Sequence, residues 1–168
     1  TFSPRRYEIW TMQSDYHNLP TVNGFQQQPG PEFKAKNILY EQNNDLTEFS
    51  LDIADSYPKK AGIDYWQRTI KLKRKSAAEI EVRDEFKFKN ETSDLILNIM
   101  TVNKPEKKQS GIIKLINESG EKLFMVNKGH SSAINLENIK IDDKRLKRVW
   151  GDNLYRIRLN LKETLSQG

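Results

Sequence analysis

The chain has 168 residues, 36% of them hydrophobic and 30% charged, and carries a net charge of +5 with no cysteine. That length and apolar content support one domain with a substantial core, and no apolar run approaches the roughly 20 residues of a membrane-spanning helix. The missing cysteines exclude thiolate metal sites, thiol nucleophiles and disulfides.

Thr1-Phe2-Ser3-Pro4-Arg5-Arg6 lacks the apolar stretch of a signal peptide, and the chain opens without Met on a strand-like segment. Candidate strands cover 7–12, 21–27, 32–41, 46–54, 65–74, 79–89, 94–102, 111–117, 122–128, 134–141 and 154–161. Turn chemistry separates them: Pro29-Gly30-Pro31, Asn43-Asn44-Asp45, Lys59-Lys60-Ala61-Gly62, Asn117-Glu118-Ser119-Gly120 and Trp150-Gly151-Asp152. Short strands at regular spacing, with no long 3.6-residue periodicity, predict an all-β antiparallel β-sandwich, a single domain over 1–168.

Early in the chain, Gln13-Ser14-Asp15-Tyr16-His17-Asn18-Leu19-Pro20 precedes Asn23-Gly24, a dipeptide suited to a type I′ hairpin because both residues tolerate positive φ. A strand followed by such a turn would present His17 from a β framework. One hairpin can be read in register. Over 66–74 and 80–88 the even positions form two largely apolar faces. A short loop around Lys75-Ser76-Ala77 then pairs Leu72 with Ile80, Ile70 with Val82, Arg68 with Asp84 and Trp66 with Phe86. The expected result is a partly buried Arg68–Asp84 ion pair on the apolar side, fixing register, and the alternative is a pair exposed at a domain interface or cleft wall.

A basic balance suits anionic partners. Yet the clusters Lys71-Leu72-Lys73-Arg74-Lys75 and Lys144-Arg145-Leu146-Lys147-Arg148 are short and read as solvated faces. In Tyr65-Trp66-Gln67-Arg68 the tryptophan falls on the apolar face, so no nucleic-acid stacking platform is expected. His17 and His130 are the two histidines, and no spacing between them or nearby carboxylates makes a complete zinc motif. His130 reads as an exposed hairpin-loop residue. No nucleophile elbow or phosphate loop occurs. Asp52, Asp55, Asp64 and Asp84 are too dispersed to assign as a glycosidase pair.

Taken together, several stretches resemble the heparinase II/III-like polysaccharide lyases. They are Arg6-Tyr7-Glu8-Ile9-Trp10, Gln13-Ser14-Asp15-Tyr16-His17-Asn18-Leu19-Pro20 with Asn23-Gly24 and Gln27, Leu51-Asp52-Ile53-Ala54 with Tyr57-Pro58, Trp66-Gln67-Arg68-Thr69-Ile70, Val82-Arg83-Asp84-Glu85-Phe86, and Val149-Trp150-Gly151 with Leu154-Tyr155-Arg156-Ile157. The His-Asn motif is the most specific of these.

The resemblance implies the C-terminal β-sandwich portion of an enzyme that cleaves acidic, uronic-acid-containing polysaccharides by β-elimination. In such enzymes a base removes the proton α to the uronate carboxyl and an acid assists the leaving oxygen. It further implies an N-terminal (α/α) toroid in the same chain, a periplasmic or secreted location, and a divalent metal, zinc or calcium. The ligands of that metal would be an upstream H-x-H-x-D segment and the histidine matched by His17. Neither toroid nor H-x-H-x-D occurs in this sequence, so the stretch alone is expected to be inactive, with no catalytic residue assigned to it. The competing reading is a non-catalytic carbohydrate-binding or scaffold module.

Overall fold

The structure is a computed structural model and describes residues 3–74, 77–92, 94–109, 111–128, 132–161 and 165–167. It is all-β and antiparallel, the class expected from the sequence. Three sheets are accompanied by a single α-helix among the described residues. The strands are β1 Pro20–Val22, β2 Lys36–Gln42, β3 Leu46–Asp52, β4 Ile63–Lys73, β5 Glu79–Thr92, β6 Leu95–Thr101, β7 Glu106–Lys107, β8 Ile112–Ile116, β9 Lys122–Val126, β10 Ser132–Lys140, β11 Asn153–Leu161 and β12 Leu165–Gln167, with helix α1 at Lys144–Trp150. The chain forms two compact units, Thr1–Val22 with Asp94–Glu163 and Asn23–Ser93 with Thr164–Gly168.

In the first unit two sheets face each other. One runs β1-β6-β11-β10 and the other β7-β8-β9. Strand β11 alternates, so Ile157 and Leu159 point one way while Arg156 and Arg158 point the other. Register carries the alternation across the sheet: Leu159 pairs with Leu97 and Ile134, and Ile157 with Ile99 and Leu136. Ile113 and Leu115 of β8 pack on Ile157 and Leu159, with Leu97, Ile99, Met125 and Ile134 around them. This is the sandwich core, and hydrophobic burial between the two sheets holds it together.

The second unit is a five-stranded sheet of order β12-β5-β4-β3-β2. Its β4–β5 hairpin has the expected register: Trp66 opposite Phe86, Arg68 opposite Asp84, Ile70 opposite Val82 and Leu72 opposite Ile80. Residues 75 and 76, in the loop expected to close it, lie outside the described residues. Trp66 is fully buried and stacks on Phe86 at 4.8 Å between ring centroids. Arg68 meets Asp84 through Nε–Oδ1 at 2.7 Å and Nη2–Oδ2 at 2.8 Å, both side chains 9% exposed. The indole Nε1 of Trp66 also donates to Asp84 Oδ1 at 2.8 Å. The carboxylate is therefore held by three hydrogen bonds, which offset its burial.

Three sequence expectations need correction. The segment expected as strand 7–12 forms 3-10 turns instead, at Pro4–Glu8 and Trp10–Met12, followed by a third at Ser14–Tyr16. Ser3 caps the first by accepting the Arg5 amide, and Pro4 occupies its first position; both features start helical turns rather than strands. Asn23 and Gly24 do adopt positive φ, 52° and 72°, but β1 ends at Val22 and pairs with β6, so the turn closes no hairpin with the rest of 21–27. Finally, the second basic cluster lies on α1, a helix too short to leave a helical period in the sequence.

Candidate functional site

The 3-10 turns carry the side chains that matter most. Trp10, Thr11, Tyr16, His17 and Asn18 meet the end of β6 (Met100, Thr101), Val102 just after it, the last residue of α1 (Trp150) and Leu154 of β11 around a cleft of about 290 Å³. All of these residues belong to the first unit. His17 therefore projects from the end of a 3-10 turn, at φ −126° and ψ 178°, and not from a strand. Its ring is solvent-exposed.

Arg156 braces this arrangement without lining the cleft. It is 8% exposed and lies on the β11 face opposite the sandwich core. Its Nε and Nη2 donate to Glu137 Oε2 at 2.8 and 2.7 Å, and Nη1 donates to the Asp15 carbonyl at 3.1 Å. The guanidinium carbon sits 4.4 Å from the Tyr16 ring centroid, a cation–π contact worth roughly 1–2 kcal/mol when shielded from water. Trp10 then meets Tyr16 edge-to-face, 5.1 Å between centroids at 63°. One arginine thus ties the His17 segment to two strands and braces two aromatic rings.

The segment after Tyr16 is anchored just as firmly. Asn18 Oδ1 accepts the Met100 amide at 2.7 Å, taking the place of a neighbouring strand where β1 has not yet begun. Asn98 Nδ2 donates to the Leu19 carbonyl at 3.0 Å and to Thr21 Oγ1 at 2.9 Å. Thr21 Oγ1 in turn donates to Asp15 Oδ1 at 2.6 Å. On the other wall, α1 holds Trp150. Asp143 caps it by accepting the Arg145 and Leu146 amides at 2.8 and 3.1 Å, and Gly151 ends it at φ 77°, a conformation that favours glycine. Those two backbone bonds, Leu146 first, hold the Asp143 carboxyl below its ordinary range.

Chemically the cleft is lined by three aromatic side chains, Trp10, Tyr16 and Trp150, together with His17, Asn18, two threonines and the apolar Met100, Val102 and Leu154. None of its lining residues is Lys, Arg, Asp or Glu, so His17 has no acid–base partner in the lining. Nor do these residues fit a metal by themselves, since the lining holds a single imidazole and the Asn18 amide oxygen already accepts a backbone N–H. Among the described residues no three His, Asp or Glu side chains gather as a metal-binding group. His130 lies outside the described residues.

The remaining residues of the motif-bearing stretches gather in the second unit, and there they serve structure. Asp52 Oδ1 accepts the amides of Ala54 at 3.0 Å and Trp66 at 3.4 Å, while Ile53 N–H donates to the Trp66 carbonyl at 2.9 Å. Asp84 holds Arg68 and Trp66, Asp55 pairs with Lys36 and Asp64 with Lys87. The four dispersed carboxylates thus each have a local partner. In the first basic cluster Lys71 pairs with Glu48, and Lys73 with Glu79 and Glu81; Arg74 Nη2 donates to Thr47 Oγ1 at 2.7 Å, and Lys75 lies outside the described residues. No helix among the described residues is long and apolar enough to cross a membrane.

Sequence reading singled out His17 but missed Arg156, Glu137 and the cleft role of both tryptophans. Alternation along 154–161 carried a signal, because it sets Arg156 opposite the apolar face of its strand. Nothing local marked Glu137 as its partner. Comparison with protein-family models and with curated proteins returned no match for this chain.

Proposed function

We propose that this chain is the β-sandwich portion of a polysaccharide lyase of the heparinase II/III-like kind, acting on acidic, uronic-acid-containing polysaccharide. It would lend one wall of the substrate cleft. One observation carries the reading: two stretches far apart in sequence that bear the resemblance, Trp10 to Asn18 and Trp150 to Leu154, converge on one cleft. Arg156, from the second of these stretches, braces the first.

In this reading His17 is one ligand of a divalent metal, zinc or calcium, whose other ligands come from outside this sequence. Its exposure leaves the imidazole accessible to them. The elimination chemistry likewise rests on residues outside the 168, in an (α/α) toroid preceding this portion in a periplasmic or secreted enzyme. The chain's own contribution is to bind and orient: aromatic walls for sugar rings, and His17 held in place through the backbone of its neighbours.

The test is the coding sequence upstream of Thr1. The reading expects an H-x-H-x-D segment there, preceded by a long helical region. An upstream sequence with neither would overturn it. So would β-elimination by the purified 168-residue chain, seen as absorbance of unsaturated uronate product.

A further inference from the structure

We propose that the cleft walled by Trp10, Tyr16 and Trp150 is a saccharide site that grips a pyranose ring by its apolar C–H face, whatever the charge of the sugar. This rests on the carbohydrate part of the reading above and deepens it by naming the contact.

The lining decides the ligand class. An aromatic face carries partial negative charge and attracts the weakly positive C–H groups along one side of a pyranose ring. The polar side chains beside the rings, His17 and Thr11, suit the hydroxyls on the rim of a sugar. A hydrocarbon ligand would bury such groups without hydrogen bonds, at a cost for each. A nucleotide would bring phosphate to a cleft whose lining contains no Lys or Arg, and phosphate contacts dominate affinity for nucleic acid. With no Lys or Arg in the lining, a carboxylate or sulfate meets no ammonium or guanidinium group there, so recognition proceeds through the ring face.

Size and rigidity agree with this. About 290 Å³ stands at the lower edge of the range of small-ligand sites, roughly 300–1,000 Å³. The platform is built before the ligand arrives: Arg156 sits against Tyr16, Trp10 against Tyr16, and Asp143 and Gly151 cap the helix that ends in Trp150. A preformed site avoids the ordering cost of binding.

The experiment is a two-dimensional NMR titration of the 168-residue chain with gluco-, manno- and galacto-configured neutral pentaoses, and with oligouronates of the same length. We expect at least one neutral pentaose to shift the indole N–H signals of Trp10 and Trp150. Its affinity should change less than about twofold when salt is raised across the range that screens surface charge. Trp150→Ala should weaken binding about tenfold or more while the buried Trp66 signal stays unchanged, which shows that the fold is intact. Absence of any shift with every neutral sugar overturns the proposal. If oligouronates alone bind, with strong salt dependence, ring-face recognition is wrong while the acidic-polysaccharide reading stands.

Discussion

Asp84 accepts from Arg68 twice and from the Trp66 indole once, inside a wall of aromatic rings. Removing the carboxylate takes the Asp84 charge from a buried guanidinium and the acceptor from the Trp66 indole N–H. Asp84→Ala should therefore lower the unfolding free energy by about 3–5 kcal/mol, as expected for a broken buried pair, read from urea denaturation. Replacing both partners by leucine should cost less, because no charge is then stranded. A loss below about 1 kcal/mol for Asp84→Ala would show that water reaches the pair. This ion pair was readable from the sequence because both residues interrupt apolar faces at matching positions. The Trp66 bond to Asp84 was not, since the indole direction depends on how the ring stacks against Phe86.

At the scale of elements, legibility follows the range of the forces involved. The β4–β5 hairpin is specified by strict alternation over Trp66–Leu72 and Ile80–Phe86, and its register follows from pairing like with like. The segment before His17 imitates a strand in composition, with Tyr7, Ile9 and Trp10. Yet its amides turn back locally, Ile9 N–H to Arg6 O and Met12 N–H to Ile9 O, after the Ser3-Pro4 start. The cleft itself joins residues 10 and 154, and no local pattern announces such a meeting. Helix α1 matters to it through Trp150, and its cap makes that dependence testable. The Asp143 carboxyl is held below its ordinary value by the Leu146 and Arg145 amides. A depressed folded-state value means stabilisation that is present above the ordinary carboxylate value and lost as pH falls through the lowered one. The Trp150 indole N–H signal in the native chain should drift on acidification below the ordinary aspartate value of about 3.9. It should stay put in Asp143→Asn, whose amide oxygen still caps the helix but does not ionise in that range. A flat native titration would contradict the role given to the cap.

At the scale of the molecule, the second unit leaves apolar surface in water. Tyr40, Phe49, Ile70 and Val82 form one cross-strand row over β2, β3, β4 and β5, with Tyr40 61% and Val82 55% exposed. Strand β2 is an edge, exposed along its whole length. Exposed edges and apolar patches favour association between chains. The 168-residue chain should therefore self-associate with rising concentration in sedimentation experiments, and Val82→Lys should reduce this without altering the far-ultraviolet circular dichroism. Equal behaviour of the two proteins would assign the association elsewhere.

The central claim concerns His17, whose place on the cleft wall is built by Arg156, Asn18 and Asn98, and whose proposed metal partners lie outside these residues. Its most direct test is the metal content of the longer lyase proposed to contain this chain, compared before and after His17→Ala. Loss of bound metal together with loss of β-elimination on uronic-acid polysaccharide is the expected result. Full metal content in the variant would contradict it.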